Sequence, residues 1–507
     1  MMSIAGTSDS HKSTSVMELA GQMEDFVRLA AREGRSLHEV EQQLHEMVHR
    51  MGNIATGMFI GLQGDGDLGQ TVTTEEGVTL HRSAGLVNRP LQTVFGLFNI
   101  RAYVYARGPK KRIELRPVDA RLSLPNGHAS YLFEEFSQYF CVEQAFDRSL
   151  EAIERVMRQS LSKETLERIN RHVGDQAEHY LDELCAPPVE NEGEVMVLTG
   201  DGKGVPLVKV ELESVPIFDP EERRGNRRMA MLASIYTVDR FVRTADDILA
   251  ALFRDPRESA DRTPRPKPQG KQLIARFARE RQFGDETEYV SGPIEAFSWA
   301  SRRVVDRLQP TQPLVGLMDG APSQWDAMQA CLDPDVAERV VEILDIIHVS
   351  QYVWRAAKVF HSHREHQEAF ARERLRRLLC GEVHGVIAGL RRMMTTRKLN
   401  ATRRSEIETV CGYFENNASR MRYDEYLAHG YPIATGVIEG ACRHLVKDRM
   451  ERSGMRWSLP GAQAMLHVRA IHQSTYLADF SEKRVRNEQA NLHPHKSLVD
   501  KYQPCPA

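Results

Sequence analysis

The spacing of apolar residues changes several times along the chain, and each change predicts a boundary. Between Met17 and Met51 the apolar positions fall at helical spacing, as in Phe26, Leu29 and Ala30 and then Val40, Leu44, Met47 and Val48, which predicts two helices. Residues 1–16 are polar and are expected to fray. Gly61–Gly69 is a Gly/Asp-rich break, and beyond Gly77 short alternating runs begin, with Val94, Phe95, Leu97, Ile100 and Tyr103 between Thr93 and Tyr105. A small β-rich module near 77–120 is the reading.

Helical spacing returns at Ser130. Phe146–Gln159 and Ser162–Val173 read as two helices joined at Ser160–Leu161–Ser162, with Ser162 as N-cap and Glu164 in the first turn. That is helix-turn-helix spacing, and it would set Lys163, Arg168 and Arg171 on the second helix to meet phosphates. Helix pairs with tight turns also occur in all-α domains that bind nothing.

Five strand-like runs follow: Glu194–Gly200, Val205–Leu212, Arg228–Arg240, Pro313–Met318 and Val340–Leu344. Arg254–Gln269, rich in Pro and charge, reads as a mobile loop, and Val349 to Tyr431 reads as helical throughout. Three of the runs close on an acid: Asp201, Asp319 and Asp345. A buried strand delivers its last side chain with little freedom, so acids on neighbouring strand ends can be held close. Their repulsion is relieved by a divalent cation, and Mg²⁺ suits a few carboxylates with water and phosphate oxygens. Asp201–Gly202 and Asp319–Gly320 are also ordinary turn dipeptides.

Length and composition narrow the classes. At 507 residues and 57.6 kDa the chain is expected to hold several domains. No apolar run approaches the roughly 18–20 residues needed to span a bilayer, and residues 1–16 lack the apolar stretch of a secretory signal, so a cytoplasmic location is expected. Seven dispersed cysteines without a C-x-x-C pair exclude a disulfide framework and an ordinary zinc finger. Net charge is −3, yet Arg355–Arg404 holds 13 Lys+Arg against 4 Asp+Glu, a local +9. Either an anion lies against it or it is a solvated helix face.

One further run bears on the acids. Thr435 to Met450 (TGVIEGACRHLVKDRM), as a helix capped near Thr435, puts Ile438, Cys442 and Leu445 on one face and Glu439, Arg443 and Lys447 on another. A carboxylate followed by two cations suits a metal ligand beside a phosphate backbone. A surface salt bridge is the plain alternative, but it leaves Gly436 and Gly440, which weaken the helix, unaccounted for.

The runs GDGKG, LMDGAPSQW and ILDIIHV, and above all GYPIATGVIEGACRHLVKDRMERSGMRWS, resemble bacterial insertion-sequence transposases of the ISKra type, which are similar to the wider DDE transposases. The likeness covers roughly 85–475, is most specific from Gly430 to Ser458, and includes Pro117–Pro125 (PVDARLSLP). It implies a ribonuclease H-like mixed sheet with helices, interrupted by a helical insertion. It implies that Asp201, Asp319 and Glu439 are the three acids, 118 and 120 residues apart. Asp345 and His348 match an Asp-x-x-His signature, which leaves open whether Asp319 or Asp345 is the second metal ligand. The implied activity is two-metal cleavage and strand transfer with Mg²⁺, or Mn²⁺ as substitute, on double-stranded transposon ends and target DNA. The implied protein is a homo-oligomer on DNA, associated with the bacterial nucleoid. His348 would approach the scissile phosphate or serve as a structural histidine, and Arg443 and Lys447 would grip phosphates.

The expected organisation is an N-terminal helical region (1–70), a DNA-binding region (71–190), the sheet part of an α/β catalytic core (191–348), a basic helical insertion (349–431), the Glu-bearing part of the core (432–475) and a C-terminal tail (476–507). Two rivals stand beside the transposase. A catalytically silent DNA-binding descendant is disfavoured because all three acids and the Asp-x-x-His are present. A metalloenzyme using His361, His363 and His366 is disfavoured because their spacing spreads them around a helix.

Overall fold

The computed structural model describes residues 15–214, 225–255, 264–452 and 454–503. The expected frayed start, apart from its last two residues, and residues 256–263 of the expected loop lie outside the described residues. The chain divides into two compact units, residues 1–173 with 478–507 and residues 174–477.

The first unit opens with α1 (Val16–Glu33), whose Glu18 amide donates to the Ser15 hydroxyl, and α2 (Leu37–Gly61), started by a Ser36/Glu39 capping box. Strands β1 (Thr71–Thr73), β2 (Thr79–Arg82), β3 (Val87–Thr93), β4 (Gly96–Ala102), β5 (Tyr105–Ala106) and β6 (Ile113–Leu115) follow. They make a sheet of order β1-β2-β5-β6 and a separate β3-β4 hairpin. Next come α3 (Pro117–Leu122), α4 (Tyr131–Glu143), α5 (Phe146–Met157) and α6 (Lys163–Asp182). The Thr165 amide donates to the Ser162 hydroxyl, so the expected N-cap is in place. The helix it starts runs to Asp182, past the expected Val173 and across the unit boundary.

The second unit is built on β7 (Val195–Pro206), after which α7 (Lys209–Ser214), β8 (Arg227–Val238) and α8 (Ala245–Leu252) follow. Then come β9 (Gln269–Arg276), the β10 (Arg279–Phe283) and β11 (Glu286–Val290) hairpin, α9 (Gly292–Arg307) and β12 (Leu314–Met318). After α10 (Pro322–Cys331) and α11 (Pro334–Ala337), β13 (Val341–Leu344) completes a five-stranded mixed sheet of order β13-β12-β7-β8-β9. β7, β8 and β9 run antiparallel in sequence, while β12 and β13 run parallel to β7.

From β13 the chain enters a helical block, α12 (Ile346–Phe360), α13 (Arg364–Leu379), α14 (Val383–Thr396), α15 (Ala401–Asn416) and α16 (Tyr423–Ala428). It returns through α17 (Gly436–Ala441), a π-helical stretch (Cys442–Lys447), α18 (Asp448–Met450) and α19 (Leu459–His472). Val197, Val315, Leu317 and Ile343 of the sheet share one buried cluster with Val353 of α12, Leu378 of α13, Leu390 of α14 and Phe414 of α15. The helical block therefore packs on the sheet through a common apolar core.

Three expectations need correction. The runs Glu194–Gly200 and Val205–Leu212 are not two strands: β7 passes straight through Asp201 to Pro206, and part of the second run is the helix α7. The third strand of the sheet, β9, starts where a loop was expected to end. Residues 476–507 are no mere tail, because α20 (Leu477–Asn491) folds into the first unit. There the buried Arg484 pairs with the buried Glu134 of α4, and Glu488 lies 3.4 Å from His172.

Candidate metal centre

Asp201 sits in mid-strand, opposite Leu232 of β8. A Cβ on Gly200 would lie 2.7 Å from the Phe297 ring, and one on Gly202 would lie 2.8 Å from Met229. The glycines that resemble a turn therefore permit close packing instead. One Asp201 oxygen accepts from the Gly202 amide at 2.7 Å, and the Cys442 thiol donates to the same carboxylate. Burial, followed by the neighbouring Asp319, raises the Asp201 pKa above the ordinary carboxylate value.

Asp319 follows β12 at a tight bend. Gly320 has φ +98°, and a Cβ there would lie 2.8 Å from Leu344, so the bend needs glycine. The carboxylate accepts from the Ala321 amide at 3.1 Å. Tyr413, stacked on Tyr352 with centroids 3.8 Å apart, donates its hydroxyl to the Asp319 carbonyl at 2.7 Å.

Asp345 is fully buried and caps α12. One of its oxygens accepts the Ile347 amide at 3.0 Å and the Thr435 amide at 3.2 Å. The other accepts the Thr435 hydroxyl at 2.8 Å and His348 Nδ1 at 3.2 Å. Four donors thus fill the carboxylate. They orient His348, whose Nε2 lies 4.0 Å from Asp319. The Asp345 hydrogen bond holds the His348 pKa above the ordinary value, with Asp319 adding to the effect.

Glu439 approaches from α17. Burial raises its pKa, and Asp345 and then Asp201 add to that as like charges. Ligand atoms of Asp345, His348 and Glu439 lie within 4.8 Å of one another. Asp201 and Asp319 do not belong to that trio, although both act electrostatically on His348. The five groups supply carboxylate oxygens and one imidazole, a donor set suited to a hard divalent cation. Cβ atoms on Gly436 or Gly440 would meet open space, so the helix backbone beside Glu439 can be approached closely.

The other expected residues fall elsewhere. Thr435 does not cap its helix with its side chain; its hydroxyl is hydrogen-bonded to Asp345 and also contacts the Glu439 carboxylate. After α17 the expected single helix changes to π-helical geometry from Cys442 to Lys447, the stretch that carries Arg443 and Lys447. Both cations are exposed, and Arg443 lies 3.9 Å from Asp448. Lys163, Arg168 and Arg171 are exposed on α6 in the first unit. His361 and His363 flank the α12–α13 connection, and no metal-type group forms there among the described residues.

Acids beyond the +9 segment pair with part of its charge. Arg355 pairs with Glu406, Arg372 with Asp255, Arg376 with Asp246, and Arg391 with Glu408 and Glu415. The exposed Arg392, Lys398, Arg403 and Arg404, around the α14–α15 turn, have no acidic partner among the described residues. Cys442, placed by its spacing on the apolar face, touches Asp201 instead. Its position three residues after Glu439 was the signal available in the sequence.

No family profile matches the chain, and no curated protein matches it. Among solved structures, a Drosophila P element transposase strand transfer complex is similar over 72% of this chain and 83% of that chain, at 10% identity and a TM-score of 0.22. A likeness that slight leaves any assignment to the site itself.

Proposed function

We propose that the second unit is a metal-dependent DNA strand-cleaving and strand-transferring centre, a transposase of the DDE kind. The observation that carries the reading is the meeting of Asp201 from mid-β7, Asp319 after β12, the Asp345–His348 pair after β13 and Glu439 on α17. The sheet order, an antiparallel trio joined by two strands parallel to its first, supports the ribonuclease H-like reading.

Asp201, Asp319 and Glu439 would hold the cation, because the lone pairs of Asp345 are already taken by four donors. Mg²⁺, or Mn²⁺ in its place, supplies polarisation of the scissile phosphodiester and activation of the attacking hydroxyl when bound. Asp345 fixes His348 with its proton on Nδ1 and, through Thr435, ties down the entry to the Glu439 helix. The raised His348 pKa favours an imidazolium whose Nε2 can donate to a phosphate oxygen. The open space at Gly436 and Gly440 leaves room for a nucleic-acid backbone, with the exposed Arg443 and Lys447 to contact its phosphates.

The test is a cleavage assay on DNA carrying the ends of the encoding element, with Asp201→Ala, Asp319→Ala and Glu439→Ala made singly. Each should abolish cleavage while folding and DNA binding persist, because each removes a polar ligand and no core volume. Near wild-type cleavage by any one of the three would remove that residue from the centre.

A further inference from the structure

The first unit contains a cavity of about 580 Å³ that the acidic centre does not use. Its wall carries Arg89, Arg107, Arg112 and Arg116. His128, from the α3–α4 connection, and His493 and His495, from the C-terminal segment that returns to this unit, complete the basic lining. Two acids, Glu114 and Asp119, face these four arginines. Glu114 is taken by Arg107 at 2.6 Å and Asp119 by Arg89 at 3.1 Å, with Arg116 4.0 Å away. Arg112 is exposed and has no acidic partner among the described residues. The wall is thus cationic by about two charges before any histidine is protonated.

Arg89 is 7% exposed. Its Nε meets Asp119, and its Nη2 donates to the Pro125 and Gly127 carbonyls, but Nη1 is buried without an acceptor. Arg116, Asp119 and Pro125 come from, or directly precede, the PVDARLSLP run, which the acidic centre leaves unexplained.

We infer that this cavity is a binding site for a phosphate-bearing group of nucleotide size. Guanidinium forks and imidazoles match phosphate oxygens, and a cavity of this volume takes the sugar or base attached to one. The same chemistry is offered by a backbone phosphate of DNA and by a free mononucleotide. The inference stands whether or not the acidic centre cuts DNA.

The test is calorimetric titration of the full-length protein with inorganic phosphate, a free deoxymononucleotide, a mixed-sequence oligonucleotide duplex and, as a phosphate-free polyanion, polyglutamate. Arg112→Glu is the probe variant because Arg112 is exposed and unpaired. Arg101→Glu is the control, an exposed arginine of the same unit outside the cavity. Arg112→Glu should weaken the phosphate probes that bind at least tenfold, and Arg101→Glu less than twofold. A mononucleotide that binds more tightly than the duplex and competes with it identifies a free nucleotide as the occupant. Duplex binding without mononucleotide binding identifies a backbone phosphate. Either result supports the site. Equal losses in the two variants, polyglutamate binding as tightly as the phosphate probes, or no binding of any phosphate probe by the wild-type protein would overturn it.

Discussion

Replacing Asp345 by Asn separates a residue that orders the centre from one that holds its cation. The carboxylate accepts four hydrogen bonds at 2.8–3.2 Å in full burial. Bonds to a charged acceptor contribute roughly 1.5–3 kcal/mol each, against about 1 kcal/mol for neutral ones. An amide oxygen would keep the Ile347 and Thr435 N–H bonds at neutral strength, a loss of at least about 1 kcal/mol for the pair. The amide nitrogen would face His348 Nδ1 and the Thr435 hydroxyl; the hydroxyl can turn to accept, but the imidazole bond goes, for about 2 kcal/mol more. The expected destabilisation is at least about 3 kcal/mol, a hundredfold or greater rise in local opening. Because a chain of two units does not unfold in one step, the measurement is amide hydrogen exchange across α12 and α17. Mn²⁺ affinity in the same variant should fall only about 10–100-fold, as for residues that orient ligands. Asp319→Asn should do the reverse, leaving exchange unchanged and removing most Mn²⁺ binding. If Asp345→Asn left exchange within threefold of wild type and abolished Mn²⁺ binding, while Asp319→Asn kept it, the roles argued for the two acids would be exchanged.

Other outcomes follow from the same geometry. Neutralising Arg392, Lys398, Arg403 and Arg404 together should flatten log DNA affinity against log salt by about 3–4 units if all four meet phosphate, whereas neutralising the paired Arg355, Arg372, Arg376 and Arg391 should change it little. An equal effect of the two quartets would deny the distinction. A fragment of residues 70–185 is expected to be unstable without α20, and in the full chain Arg484→Ala should cost about 3–5 kcal/mol by stranding the buried Glu134; urea unfolding of the first unit reads this directly. For pH, the raised pKa values of Asp201, Glu439 and His348 share a sign: in cation-free protein their stabilisation is present in the protonated forms and is lost as pH rises through the folded-state values. Millimolar Mg²⁺ should therefore raise the unfolding temperature of the second unit more at pH 8 than at pH 5, and an equal rise at both values would count against the cluster as a cation site.

Periodicity found what is locally encoded. β8, β12, β13 and the helices beyond are apolar runs long enough to stand out, and the acids that close β12 and β13 are where the runs placed them. β7 reads as two runs in the sequence because GDGKG looks like a turn, whereas its glycines answer to Phe297 and Met229, neither of which is near in sequence. β9 does not stand out in the sequence because only Leu273, Ile274 and Ala275 of its eight residues are apolar and it ends on an arginine. Arg276 is 1% exposed and lies within reach of Glu178, Asp182 and Glu295, so burial there depends on partners from other elements. The π-helical stretch after Glu439 has no signature in residue spacing. The contact between Cys442 and Asp201 joins residues that no local pattern connects.

Asp345 and Thr435 are hydrogen-bonded although ninety residues separate them, and the Ile346 amide donates to the Ile433 carbonyl beside them at 2.9 Å. The helical block is therefore a loop pinched shut at its base, and the closure is made by the groups that position Glu439 and His348. Lengthening such a loop costs little entropy, so its far turns can grow, shrink or exchange without moving the acids. Its inner layer has no such freedom, since the side chains of α12 are the cover of the sheet. The fold thus separates a region free to vary in length from a base where the acids are held fixed, and the division between them falls at a single buried carboxylate.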